Sequence, residues 1–226
     1  MRILVAAATA AEIAPLSAAA GIDPTSPERS RHGRVARHDV DVLVTGVGMV
    51  ATAFWCATAL ARHSYDLALN LGLCGAFDRS LALGSVVNVI SDRFSELGAE
   101  DNEAFLTLHE LGLMASDDPP FRDGAVINHA PPAIVSLQRL PSVSGITVNT
   151  VHGRDSSIAD VTRRFAPQVE SMEGAAFMYA CALAGVPYAQ VRAVSNVVER
   201  RNRAAWQVGP AVGALSASAL EILESA

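Results

Sequence analysis

The chain has no lysine. All 17 of its basic side chains other than histidine are arginine, and alanine is abundant, a bias that reads as genomic composition and from which no chemistry is drawn. An excess of positive charge is also missing, since Asp and Glu number 23 and the net charge is -6. Nucleic acid is held through clustered cations that neutralise phosphates, so no nucleic-acid partner is expected. Cysteine is scarce: Cys56, Cys74 and Cys181 are far apart, odd in number and without a CxxC pair. That argues against a disulfide framework and a thiolate zinc site, and it fits a reducing cytoplasm. None of the six histidines stands in HxxxH or HExxH spacing, so no metal is implied and no cofactor is expected. No apolar run is long enough to span a bilayer, so no membrane partner is expected. The opening MRILVAAATAAEIAPLSAAAG superficially resembles a secretion signal, but Glu12 and Pro15 interrupt it and RILVAAA reads as a core strand. A cytoplasmic protein is the expectation.

What the chain does have is apolar surface to bury, with hydrophobic residues making up 50% of its 226 positions. That is enough for a substantial core in one domain spanning 1–226, without repeats, linkers or low-complexity tracts. Apolar runs bounded by turn residues recur at Arg2 to Ala8, Val40 to Thr45, Leu67 to Leu71, Val86 to Ile90, Gly145 to Val151, Val169 to Met172 and Tyr188 to Val194. Several are continuous rather than alternating, as in strands covered on both faces. Helical patterns fall between them at Ala11 to Ala19, Met49 to His63, Glu173 to Ala184 and about Arg203 to Glu224. The alternation predicts an α/β fold whose central mixed, mostly parallel, twisted sheet is flanked by helices in three layers. The polar segment Arg31 to Val40 reads as an exposed hairpin arm, and Ser95 to Pro141 gives no clear pattern between its proline-marked loops.

Gly46-Val47-Gly48-Met49-Val50-Ala51 satisfies G-x-G-x-x-A after a strand and before a helix, the fingerprint of a dinucleotide site. Asp66 stands near the spacing of about 20 residues at which such sites hold ribose. It begins a strand instead of ending one, however, and the first strand has no Gly-rich turn. The two glycines equally permit a tight strand-to-helix turn with no ligand.

Two carboxylates sit at strand-to-helix junctions amid apolar neighbours. Glu12 closes Thr9-Ala10-Ala11-Glu12, a capping box that by itself accounts for the residue. Glu173 precedes the apolar helix GAAFMYACALAG, where the helix dipole favours an acid but enclosure demands partners for it. Ser195-Asn196 ends a buried strand, which suits either a turn or the ligand crevice at the carboxyl end of an α/β sheet.

Taken in order, Glu12, Thr45-Gly46-Val47-Gly48, Asn70-Leu71-Gly72-Leu73-Cys74-Gly75-Ala76, Glu170-Ser171-Met172-Glu173-Gly174-Ala175-Ala176 and Arg192-Ala193-Val194-Ser195-Asn196 resemble the purine nucleoside phosphorylase and methylthioadenosine/S-adenosylhomocysteine nucleosidase superfamily. The resemblance covers nearly the whole chain, and SMEGAA and SNVVERRNRAAW are most similar to its futalosine hydrolases, which release hypoxanthine from futalosine in menaquinone biosynthesis. It implies an N-ribosyl hydrolase for a 6-oxopurine nucleoside, with Glu12 activating water and Glu173 holding the ribose hydroxyls. It also implies Met172 beneath the sugar, backbone from Cys74, Gly75 and the Val47 turn against the purine, and Arg192 near Glu12. Trp206 covers the site in this reading, although an amphipathic helix also buries tryptophan as core. Asn196, with Ser195 supporting its loop, can present its NH2 to purine N7 and a 6-oxo oxygen, stabilising the charge that grows on the departing base.

Hydrolysis is favoured over phosphorolysis because the segments that hold phosphate in the phosphorylases, Ala6 to Ile13 and Leu69 to Leu71, carry no basic residue here. Arg154 and Arg163 remain possible sources of charge. Arg200, Arg201 and Arg203 are candidates for a carboxylate at the far end of the substrate, and His152 falls in a loop near its 5′ side. The resemblance further implies a homodimer or higher homo-oligomer, with the hairpin around His32 to His38 or the middle region in contact. A phosphorylase, an adenine-nucleoside nucleosidase, a dinucleotide binder and a non-catalytic binding module are the alternatives.

Overall fold

The computed structural model describes residues 1–226 apart from 24, 25, 27 and 103. The chain opens with strand β1 (Arg2–Ala7), a 3-10 turn at Ala10–Ile13 and helix α1 (Ala14–Ala19). A hairpin of β2 (Ser30–Val35) and β3 (His38–Val44) leads to α2 (Met49–Arg62) and β4 (Leu67–Ala76). After β5 (Val86–Phe94) come two short pairs, β6 (Gly98–Asp101) with β7 (Ala104–Thr107) and β8 (Phe121–Arg122) with β9 (Ala125–Ile127). Next are α3 (Val135–Gln138), β10 (Ser142–Thr147), α4 (Asp155–Phe165) and β11 (Val169–Ser171). The chain finishes with α5 (Gly174–Ala184), β12 (Tyr188–Val197) and α6 (Val208–Ser225).

Successive side chains of a strand point to opposite faces, and β1 shows the consequence. Ile3, Val5 and Ala7 join one apolar cluster with Leu16 of α1, Leu137 of α3 and Leu215 and Ile222 of α6. Leu4 and Ala6 join another with Cys56 of α2 and Phe177 and Met178 of α5. Helices therefore cover both faces, the arrangement that continuous apolar strands require.

The mixed sheet is present, and it goes further than flanking layers require. Strand order runs β2-β3-β1-β4-β11-β10-β5-β9-β8, with β12 pairing both β4 and β5. Strands β3, β1, β4 and β12 are parallel in sequence, as are β5, β10 and β11. Two antiparallel seams, β11 to β4 and β12 to β5, then close five strands into a ring. Closure explains why β4 and β5 outrun their apolar stretches. The Gly-rich end of β4 pairs on both sides, and polar Ser91, Asp92 and Arg93 of β5 pair with Ser144, Gly145 and Ile146 of β10. The predicted arm at Arg31 to Val40 is a hairpin, with β3 inside the sheet and β2 at its edge.

Candidate active site

Strands β1, β4 and β12 run in one direction and release their chains at one end of the ring, the usual position of a ligand crevice in such folds. A cavity of about 210 Å³ opens there. Glu12 reaches it from the turn after β1. Its Oε2 accepts from Thr9 N at 2.8 Å and Thr9 Oγ1 at 2.9 Å, while Thr9 Oγ1 accepts from Glu12 N at 3.4 Å. The capping box is thus formed, and it fixes the carboxylate on the cavity wall. Its other oxygen, Oε1, accepts from Leu73 N at 3.2 Å, which ties β1 to the Gly-rich part of β4.

Glu173 occupies the N-cap position of α5 and is 5% exposed. Its partners come from two other elements: Gly48 N donates to Oε1 at 3.1 Å, and Arg192 Nη1 lies 3.6 Å from Oε2. Burial pushes this carboxyl above its usual range and the Glu12 charge adds to the rise, opposed by Arg192 and the Gly48 N–H. Gly48 is also the N-cap of α2, with φ of 98°, a conformation other residues rarely adopt. The helix end that a dinucleotide phosphate would occupy is therefore met by a carboxylate of the chain itself. Asp66 caps the Arg2 N–H at 2.7 Å, remote from any ribose role.

Arg192 borders no part of the cavity and lies behind it, 1% exposed. Its Nε donates to Gln190 Oε1 at 3.1 Å and its Nη2 to Asn70 Oδ1. The guanidinium points Nη1 at Gly72, where a Cβ would lie 2.1 Å from Nη1 and 3.2 Å from Glu12 Oε1. Gly72 thereby lets Arg192 approach both site carboxylates.

At the end of β12 the pairing with β4 skips a residue: Val194 faces Cys74 and Asn196 faces Gly75, so Ser195 is the extra residue of a bulge. Bulges re-aim side chains, and this one sends Asn196 to the cavity. Ser195 Oγ lies 2.9 Å from Asn196 Oδ1 and 3.2 Å from Cys74 O, and can donate to either. Val47, Met172, Cys74 and Gly75 complete the wall with Trp206, whose following residue donates its N–H to Ser195 O at 2.8 Å.

A family model for the phosphorylase superfamily matches residues 2–224. The chain belongs to the phosphorylase superfamily. Futalosine hydrolase of Acidothermus cellulolyticus is 35% identical over 84% of this chain and 78% of the relative. Futalosine hydrolase of Streptomyces coelicolor is 32% identical over 78% of this chain and 75% of the relative. A 5′-methylthioadenosine/S-adenosylhomocysteine nucleosidase from Colwellia psychrerythraea, solved in complex with adenine, shares the fold. Its TM-score is 0.79 at 21% identity, covering 100% of this chain and 95% of that one.

As a phosphorylase-superfamily chain it carries two polar features that sequence reasoning missed. Behind Arg192, Gln190 Nε2 donates to Asp92 Oδ2 at 3.0 Å, and Thr147 Oγ1 donates to Asp92 Oδ1 at 3.0 Å. Burial pushes the Asp92 carboxyl up to about 6, against the effect of those two donors and Arg192. On the wall itself Glu170 meets His152. Glu170 lies inside the ESMEGAA motif, which was the available signal; nothing marks Asp92 within SDRF. None of the arginines considered for distant charge lines the cavity: Arg201 lies over the ring of the wall residue Trp206 at 5.5 Å, and Arg163 pairs with Asp160. Arg154, Arg200 and Arg203 are exposed and form no part of its wall. Among the described residues, no helix is long and apolar enough to cross a membrane.

Proposed function

We propose that this chain is an N-ribosyl hydrolase for a 6-oxopurine nucleoside, with futalosine as the substrate and hypoxanthine as the released base. The observation that carries the reading is one cavity walled by Glu12, Glu173 and Asn196, with no arginine among its described lining residues. A phosphate co-substrate needs cationic donors or a dedicated anion nest, whereas water needs one base. Kinship with futalosine hydrolases at 35% and 32% identity supports the substrate.

In this mechanism Glu12 is the base. A carboxylate oxygen has two acceptor positions, so Oε1 keeps one for water beside the Leu73 N–H. Water adds to the ribosyl anomeric carbon and gives its proton to Glu12, while the glycosidic electron pair leaves with purine N9. Negative charge spreads to N7, where the Asn196 NH2 donates, an interaction that strengthens as the bond breaks. Glu173 accepts from the ribose 2′ and 3′ hydroxyls, and Arg192 behind it offsets its charge. Met172 packs beneath the sugar and Trp206 covers it.

The test is chromatography after incubating the pure protein, in phosphate-free buffer, with futalosine, inosine and methylthioadenosine separately. Hypoxanthine released from futalosine is the expected result. Turnover only with added phosphate, giving a ribosyl phosphate, would replace hydrolysis by phosphorolysis. Adenine from methylthioadenosine would overturn the base assignment.

A further inference from the structure

Glu170 borders the cavity without a task in the reaction above. It is 3% exposed, and a buried carboxylate is costly unless donors meet it. His152 supplies them: its Nδ1 lies 2.6 Å from Oε2, and its main-chain N–H donates to Oε1 at 3.2 Å. An ionised carboxylate has about four acceptor positions, so two donors leave room for more.

Strand register puts this carboxylate beside the proposed leaving-group end. Gly75 of β4 pairs with Glu170 of β11 on one side and Asn196 of β12 on the other. With strands about 4.8 Å apart, the Cα atoms of Glu170 and Asn196 stand about 10 Å from each other across Gly75. A Cβ on Gly75 would lie 3.0 Å from Asn196 Nδ2 and 3.5 Å from Glu170 Cγ. Both side chains crowd the same glycine, whose Cβ position is also 2.9 Å from Val198 Cγ2, so the missing side chain is what lets the amide and the carboxylate stand close together on the cavity wall.

The amide alone does not separate the two purine classes. Its NH2 can span N7 and a 6-oxo oxygen, but a turned amide pairs equally well with N7 and a 6-amino group. A carboxylate has no such freedom, because when ionised it only accepts. N1 of a 6-oxopurine carries a hydrogen; N1 of adenine carries a lone pair.

We infer that Glu170, held by His152, determines base specificity by accepting N1–H of a 6-oxopurine and disfavouring adenine. The inference rests on the nucleosidase reading of this cavity. Leaving one buried group unsatisfied changes affinity about tenfold to a hundredfold, which sets the size of the effect.

Two readouts test it. Calorimetry on the intact protein compares free hypoxanthine, adenine and 1-deazahypoxanthine, in which a C–H replaces N1–H. Kinetics compare futalosine with its 6-amino counterpart in wild type and Glu170→Gln. Hypoxanthine should bind at least tenfold more tightly than either other base. Glu170→Gln should lower the 6-oxo over 6-amino ratio of kcat/KM at least tenfold. Equal binding of hypoxanthine and 1-deazahypoxanthine overturns the inference, as does no binding of any base or an equal loss on both nucleosides, which would leave Glu170 an anchor for the His152 loop. If neither nucleoside is cleaved, the hydrolase reading fails, while the base-binding ratios still judge Glu170 without any variant.

Discussion

Arg192 Nη1 and Glu173 Oε2 lie 3.6 Å apart with 1% and 7% of their side chains exposed, an ion pair whose carboxylate lines the cavity and whose guanidinium is sealed behind it. Removing one member of such a pair strands the other in a medium that solvates it poorly. Arg192→Met strands Glu173 and also leaves Gln190 Oε1 and Asn70 Oδ1 without this donor. The expected loss is about 3 to 5 kcal/mol, measured as a lowered midpoint in urea unfolding. An unchanged midpoint would show that the pair contributes nothing to the fold.

Asp92 makes stability depend on pH. Burial raises its folded-state carboxyl from 3.8 to about 6, so between those values the folded chain holds a proton that the unfolded chain has released. Stability from this group is therefore greatest below about pH 4, falls as pH rises through the window, and levels off above about pH 6. Two units at about 1.4 kcal/mol each give about 3 kcal/mol. Asp92→Asn has no proton to lose. Urea titrations at several pH values should show wild type losing about 3 kcal/mol relative to the variant between pH 4 and pH 6. A difference that stays constant across the window would refute this assignment.

Glu12→Gln separates the two roles of that side chain. A glutamine keeps the capping box through its one carbonyl oxygen but turns its NH2 on the Leu73 N–H, so stability should fall by about 1 to 3 kcal/mol while the chain still folds. It is a far weaker base, and single-turnover cleavage of futalosine should slow by about a hundredfold to ten-thousandfold. Wild-type kcat in a folded variant would remove Glu12 from the chemistry.

Legibility in the sequence followed burial. The strands β1, β3 and β12 could be read because continuous apolar residues meet helices on both faces. Helix α4 could not: most of DSSIADVTRRF faces solvent, and Val161 is its one fully buried residue. The small strands β6 to β9 are too short to show a period. At the site, Glu12, Glu173 and Asn196 stood out because each is polar at the edge of an apolar element. Asp92 did not, since a polar run after Ile90 reads as the end of a strand. Only the ring's closure makes those residues internal, where Gln190 and Thr147 receive the carboxylate. Asn70 was likewise invisible as a partner of Arg192, because it lies on β4 and meets β12 only through register, whereas Gln190 stands two residues before Arg192 on the same strand.

The extra residue at Ser195 works as a frame shift. Side chains alternate between the two sides of a strand, so a one-residue slip exchanges every partner on them. Without the bulge, Ser195 would stand opposite Gly75 and Asn196 opposite Ala76, one step along β4. The chemistry at that strand end thus depends on register: with the chain length kept but the bulge ironed out, the amide would stand one step further along β4 and on the other side of its own strand, out of the cavity.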